Sequence, residues 1–164
     1  MGTLIKAFSE SSEGNHGHRE MKRHQGEPPN TILAAGGILR GEGANEGMIA
    51  IVCRRRYGGE IGLPKGKVKA KEDLLVASVR EVKEETGYDA EITGYAGATH
   101  YHVEGRPKAV FYFIMRVLDS SSRGPFDDKE IERMEWMTPH DAAIALTHIE
   151  DRNLIATVFA LPRK

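Results

Sequence analysis

From residue 31 onward, short apolar runs alternate with polar, glycine-bearing breaks, a rhythm of strands and turns interrupted by one stretch with a helical period. Residues 31–39, TILAAGGIL, and 48–53, MIAIVC, are the first two apolar runs, and GEGANEG between them supplies turn residues. Two strands joined by a turn are predicted. Gly36-Gly37 inside the first implies a bulge, the close approach of another backbone or a ligand, or a plain packing pair. Residues 89–103 alternate loosely, residues 107–118, PKAVFYFIMRVL, are the most strand-like segment, and HVEGRP between them reads as a hairpin turn. A short strand is predicted at residues 134–137. Thr138 then caps a helix with Pro139 at its first position, and Asp151 opens a last one carrying Leu154, Ile155, Val158 and Phe159, unless the two are one broken helix. Strand, strand, helix, strand, strand is an α+β arrangement with a mixed sheet.

The helical period lies in GKVKAKEDLLVASVREVKEETGY, residues 66–88. Glu81, Glu84 and Glu85 fall in one arc of such a helix, continued by Leu74, Ala77 and Ser78, while Leu75, Val79 and Val82 take the neighbouring arc. One stripe is predicted to rest on a core while the next presents carboxylates at i, i+3 and i+4. Like charges at those spacings cost about 0.2–0.5 kcal/mol per pair, so Glu85→Gln is expected to leave the metal-free protein no less stable. A hard divalent cation with oxygen ligands would turn that repulsion into coordination, and with no histidine in the cluster Mg²⁺ or Mn²⁺ is the expected ion. Glu72 and Asp73 stand at the helix start, where Glu72 reads as a cap or as a catalytic residue, and Gly87 supplies the stop. Ahead of the helix, Pro64 and Gly66 predict a turn, with Lys65 and Lys67 bringing positive charge to its mouth.

Reading from Gly66 there are five residues, Glu72, seven more, then Arg80-Glu81-Val82-Lys83-Glu84-Glu85-Thr86-Gly87-Tyr88. This order resembles the signature box of the Nudix hydrolases, with every fixed position filled. The one departure is Tyr88, where an aliphatic residue is usual, a matter of packing after the helix. The resemblance extends more loosely from about residue 31 to the end. It implies an αβα sandwich with a mixed sheet between helices, and metal-dependent hydrolysis of a diphosphate linked to another group. It also implies Glu81, Glu84 and Glu85 as metal ligands, Glu81 as a candidate general base, and Arg80 as the residue orienting Glu81. The backbone carbonyl of Lys65 would be a further ligand. Glu130, ahead of Trp136, would be another, with Asp127, Asp128 and Glu132 as rivals and a plain acidic loop as the alternative. Degenerate members lose a box glutamate; this chain keeps them all, which favours an enzyme over a non-catalytic, metal-dependent nucleotide-binding module.

Composition narrows the rest. With 164 residues and a net charge of −1, a single domain is expected, without bulk attraction to nucleic acid or an anionic membrane. A polyphosphate must then be held by local charge, for which Arg54, Arg56, Lys65, Lys67 and Lys108 are the candidates, against an ordinary solvated cluster. Tyr57, Tyr101, Tyr112 and Phe113 are candidates for stacking on a base, Tyr57 and Tyr112 being preferred, with core packing as the alternative for each. Cys53, the one cysteine, reads as an inert buried thiol. Residues 1–29 are polar, carry His16, His18 and His24 at irregular spacing, and predict a flexible tail ahead of a domain at 30–164. With no long apolar segment, a cytoplasmic monomer or homodimer is expected, acting on a small nucleotide or polyphosphate.

The Leu63-Pro64-Lys65-Gly66 lead-in, Gly105-Arg106-Pro107-Lys108 and Glu135-Trp136-Met137 look similar to diadenosine polyphosphate hydrolases and to diphosphoinositol polyphosphate hydrolases. The same lead-in occurs in relatives that cleanse oxidised nucleotides. Two separate cationic clusters with tyrosines beside them suit a long polyphosphate carrying a base. A dinucleoside polyphosphate such as diadenosine tetraphosphate is therefore the expected substrate, with a diphosphoinositol polyphosphate or an oxidised nucleoside triphosphate as alternatives.

Overall fold

The computed structural model describes residues 31–55, 58–119, 123–124 and 126–162. The tail of residues 1–29, with its histidines, lies outside them. In chain order the elements are β1 (Ile32–Arg40), β2 (Ile49–Arg54), β3 (Ile61–Gly62), β4 (Lys65–Lys67), α1 (Leu74–Thr86), β5 (Ala90–Val103), β6 (Arg106–Val117), β7 (Ile131–Met137), α2 (Pro139–Ala145) and α3 (Ile149–Val158). The strands form one mixed sheet in the order β3-β2-β1-β6-β5, with β4 also paired to β1 and β7 to β2. β1 and β6 run parallel, from Ile32 opposite Lys108 to Arg40 opposite Arg116. The β5–β6 hairpin turns at Glu104 and Gly105, both at positive φ (52° and 76°), the geometry of a two-residue type I′ turn.

Helices cover both faces of the sheet, so β6 is apolar on both sides. Val110 and Tyr112 face one core with Ala34, Ile38, Ile51, Leu146 and Ile155, under α2 and α3. Phe113, Met115 and Val117 face the other with Leu39, Val82 and Tyr88, under α1. This is the expected αβα sandwich, and Tyr88 packs on Trp136 with ring centroids 5.6 Å apart. Cys53 is buried and unpaired, as expected. Among the described residues no helix is long and apolar enough to cross a membrane.

Three local expectations are corrected. The segment predicted as a turn after Ile61 contains two short strands, because Gly36 and Gly37 leave room for it. The Gly37 amide donates to the Pro64 carbonyl at 3.0 Å, and a Cβ on Gly36 would lie 2.2 Å from that oxygen, so the glycine pair serves the approach of another backbone. α2 and α3 are two helices, as expected, rather than one broken helix, but His148, not Asp151, precedes the second. Asp151 is instead wholly buried, accepting from Thr99 Oγ1 and Tyr112 OH at 3.3 Å each. On α1, Leu75 is exposed, and the helix rests on Ala77, Ser78 and Val82, whose small side chains let it lie close to β1.

Candidate active site

α1 is set at both ends by its own sequence. Asp73 caps it, accepting from the Leu75 amide at 2.7 Å, and Gly87 ends it in the left-handed region at φ 81°. Glu72 is not the cap. Its carboxylate takes Arg80 in a two-pronged grip, from Nε at 2.7 Å and Nη2 at 2.8 Å, and also accepts from the Lys69 amide. That grip brings the Glu72 carboxyl down to about 2. Arg80 Nη1 then reaches Glu81 at 2.6 Å and Glu84 at 2.9 Å, and Nη2 donates to the Lys67 carbonyl at 3.2 Å, so Arg80 is engaged by protein oxygens at each nitrogen.

Close packing of α1 on the sheet places Glu81 directly against β4. A Cβ on Gly66 would fall 1.9 Å from Glu81 Oε2, so the absence of a side chain there is what lets the carboxylate lie on the backbone. One turn further on, buried Glu85 accepts from the Lys65 amide at 2.8 Å and from Arg54 Nη2 at 2.6 and 2.9 Å. Arg54 Nη2 also donates to the Leu63 and Lys65 carbonyls at 3.3 and 3.2 Å. Burial pushes the Glu81 carboxyl up against the pull of Arg80, and pushes that of Glu85 up against the pull of Arg54 and Lys65.

Arg54, Lys65, Lys67, Arg80, Glu81, Glu84, Glu85, Lys108 and Glu130, each singled out by sequence, all line one cleft of about 750 Å³, a size typical of small-molecule sites. Asp127 lines it beside Glu130, and its amide donates to the Glu84 carbonyl at 2.7 Å; Asp128 and Glu132 are not on the wall. Arg55 turns the other way, donating through Nε to the Asp128 carbonyl. Tyr112 is a correction: it is fully buried beneath Asp151, because even-numbered residues of β6 face the α2–α3 core, and it offers no surface to a base. Arg56 and Tyr57 lie outside the described residues.

Two participants carried little signal in sequence. Glu60, a lone carboxylate among the cations of residues 54–67, faces Lys65 Nζ at 3.2 Å, Arg54 Nη1 at 3.5 Å and His148 Nε2 at 3.6 Å. Burial pushes its carboxyl up, but Lys65 and Arg54 outweigh this and hold it below the ordinary range. Burial likewise pushes the Lys65 ammonium down. His148 reaches the cleft because Thr147 pairs with Ile61 through both its amide and its hydroxyl, tying the α2–α3 link to β3. Its imidazole stacks on Tyr101 with centroids 4.6 Å apart at 19°, and Lys108 Nζ stands 5.6 Å from the Tyr101 ring centre. Burial, then the charges of Lys65 and Arg54, push the Lys108 ammonium down to about 8.

The donors on the acidic wall are all oxygens: carboxylates of Glu81, Glu84 and Glu85 and the Lys65 carbonyl. That set suits Mg²⁺ or Mn²⁺, and it already holds cationic nitrogens. Among the described residues no three acidic, histidine or cysteine side chains converge on one point. The reason is visible in the ion pairs: Arg54 draws Glu85 one way while Arg80 draws Glu81 and Glu84 another.

Comparison with known proteins bears on the family and the fold. An 8-oxo-(d)GTP phosphatase of Mycolicibacterium smegmatis is 31% identical over 136 residues, 76% of this chain and 40% of that protein. The chain spans 40% or less of the length of the first curated relatives it matches. Among solved structures, a C. elegans Ap4A hydrolase binary complex superposes with a TM-score of 0.69 at 22% identity, covering 79% of this chain and 95% of that one. The MutT protein from Methanosarcina mazei Go1 superposes with a TM-score of 0.68 at 21% identity, covering 84% and 99%. Residues 22–158 match the NUDIX domain itself, and with the box residues gathered on one cleft wall the chain belongs to the NUDIX domain family, a family of hydrolases.

Proposed function

We propose that the protein is a metal-dependent pyrophosphohydrolase acting on a nucleotide-linked polyphosphate, with a dinucleoside polyphosphate such as diadenosine tetraphosphate as its substrate. One observation carries the reading: an all-oxygen acidic wall, laid on the β4 backbone at Gly66, faces an aromatic shelf of Tyr101 and His148 across the same cleft. The shelf offers a ring face that a nucleobase uses and an inositol does not, which sets the diphosphoinositol alternative back.

Glu81, Glu84, Glu85 and the Lys65 carbonyl would hold Mg²⁺ or Mn²⁺, with Glu130 or Asp127 adding a carboxylate from the loop before β7. Such an ion, when bound, neutralises charge on the phosphates and makes water a better nucleophile at neutral pH. Glu81, pushed up by burial, suits a group that accepts a proton from attacking water. Arg80 fixes the Glu81 rotamer from behind, itself fixed by Glu72. Lys67 and Lys108, both on the cleft wall, would hold phosphate oxygens.

A second reading, hydrolysis of an oxidised nucleoside triphosphate, draws support from the relative named 8-oxo-(d)GTP phosphatase. The experiment measures kcat/KM for diadenosine tetraphosphate, 8-oxo-dGTP, ATP and a diphosphoinositol phosphate at equal Mg²⁺ and salt, with an EDTA control. The expected result is metal-dependent turnover led by the dinucleotide. A tenfold preference for another substrate, about 1.4 kcal/mol in transition-state binding, overturns the substrate and leaves the reaction class; turnover unaffected by EDTA overturns the class.

A further inference from the structure

Arg54 sits as a cation would. Its Nη2 is in contact with four oxygens, the Leu63 and Lys65 carbonyls at 3.3 and 3.2 Å and both Glu85 carboxylate oxygens at 2.9 and 2.6 Å. Two carbonyls and a two-oxygen carboxylate are what a hard divalent cation collects. The other end of the guanidinium is different. Nη1 is buried, on a residue only 9% exposed, and has no hydrogen-bond partner among the described residues; the acidic oxygen facing it is Glu60 Oε1 at 3.5 Å. An arginine built only to neutralise Glu85 would present the carboxylate with two nitrogens, as Arg80 does to Glu72. Arg54 presents one, leaving the second aimed at another carboxylate.

Resting on the metal-dependent reading above, we propose that Arg54 is a built-in competitor for the divalent cation. Its Nη2 holds the position between Glu85 and the two carbonyls until an ion takes those oxygens, and Glu60 then receives the guanidinium. The displacement is short, since Nη1 is already beside Glu60, and it removes the orphaned donor. Lys65 Nζ shares the same Glu60 oxygen at 3.2 Å, so the arriving guanidinium presses on the lysine and both cations turn toward the cleft they line. Metal loading thereby readies positive charge for an anionic substrate, and the empty-handed protein spends none of its fold on unopposed carboxylates.

Two measurements test this without relying on turnover. In the full chain with ¹⁵N-labelled arginine, the Arg54 side-chain Nε–H signal, assigned by its loss in Arg54→Lys, is followed during a Mg²⁺ titration without nucleotide. It is expected to shift and saturate with Mg²⁺; a signal unmoved at saturation overturns the proposal. Mn²⁺ binding, read by the loss of free-ion paramagnetic resonance, is expected to tighten tenfold or more in Arg54→Met and to weaken several-fold in Glu60→Gln, with circular dichroism confirming the fold. Folded Arg54→Met with unchanged or weaker Mn²⁺ affinity overturns the competition, and unchanged affinity in Glu60→Gln overturns the role of Glu60. If Arg54→Met does not fold, the titration of the parent chain decides. A parent that binds Mn²⁺ while Arg54 stays in place removes only this proposal; a parent that binds neither ion removes the metal-dependent reading as well.

Discussion

Glu85→Gln separates the tertiary account of the acidic helix from the helical one. On an isolated helix, neutralising one of three neighbouring carboxylates relieves repulsion. In the folded protein the Glu85 side chain is 6% exposed and opposes an Arg54 side chain that is 10% exposed, at 2.6 Å. Glutamine preserves the shape and one acceptor, cancels the charge, and turns its amide hydrogens toward a guanidinium. Removing one partner of a buried ion pair costs about 3–5 kcal/mol. The retained amide oxygen can still accept one hydrogen bond, worth roughly 1 kcal/mol. Glu60, 3.5 Å from Arg54, supplies some compensating charge. The net expectation is a loss of about 2–3 kcal/mol, a fall of roughly 6–12 °C in Tm for a domain of this size. The assay is thermal and urea melting in EDTA of the parent, Glu85→Gln, Arg54→Met and the double variant. The two single losses are expected to add to more than the double loss, with a coupling of at least ~1 kcal/mol. A Glu85→Gln chain melting at or above the parent in EDTA would refute the reasoning, because it would mean that repulsion within the helix outweighs the buried pair.

Three further outcomes follow from the same geometry. Lys108 carries its charge below about 8 and loses it above, so kcat/KM for the polyphosphate falls as pH rises through that value; Lys108→Met flattens this limb and Lys108→Arg moves it higher, as pH profiles between roughly 7 and 9.5 would report. Gly36→Ala drives a methyl group into the Pro64 carbonyl, 2.2 Å away, and is expected to cost about 1–3 kcal/mol in urea melts and to lower turnover by displacing β4; a parent-like melt would count against the close approach. Tyr101→Leu removes the ring on which His148 lies, and is expected to raise KM for nucleotide substrates by roughly tenfold, from a stacking loss of about 1–3 kcal/mol, while inorganic triphosphate competes as before; equal loss for both would show the shelf does not touch the base.

The order and length of the apolar runs were enough to place the main strands and the long helix, because burial on both faces of a sheet, or on one stripe of a helix, writes its period directly into the residues. The spacing from Gly66 to Tyr88 was enough to bring Arg80, Glu81, Glu84 and Glu85 onto two successive turns of one helix, since three or four residues of separation put side chains together whatever surrounds them. Even the box glycine was legible as a requirement, though not its reason, which is the Glu81 carboxylate lying where a Cβ would be. Tertiary structure alone decided what each charge faces. Arg54 is 31 residues from Glu85, and nothing local says that the first of three consecutive arginines turns inward while Arg55 turns to the Asp128 carbonyl. Tyr112 and Tyr101 look alike in sequence, yet β5–β6 pairing and the parity of β6 bury one under Asp151 and leave the other on the cleft wall. His148 and Glu60 gain their places from the Thr147–Ile61 pairing, a contact between segments 86 residues apart. Side-chain period is a property of the chain near each residue, whereas the sign and distance of the charge across a cleft depend on which distant segments the two cores draw together.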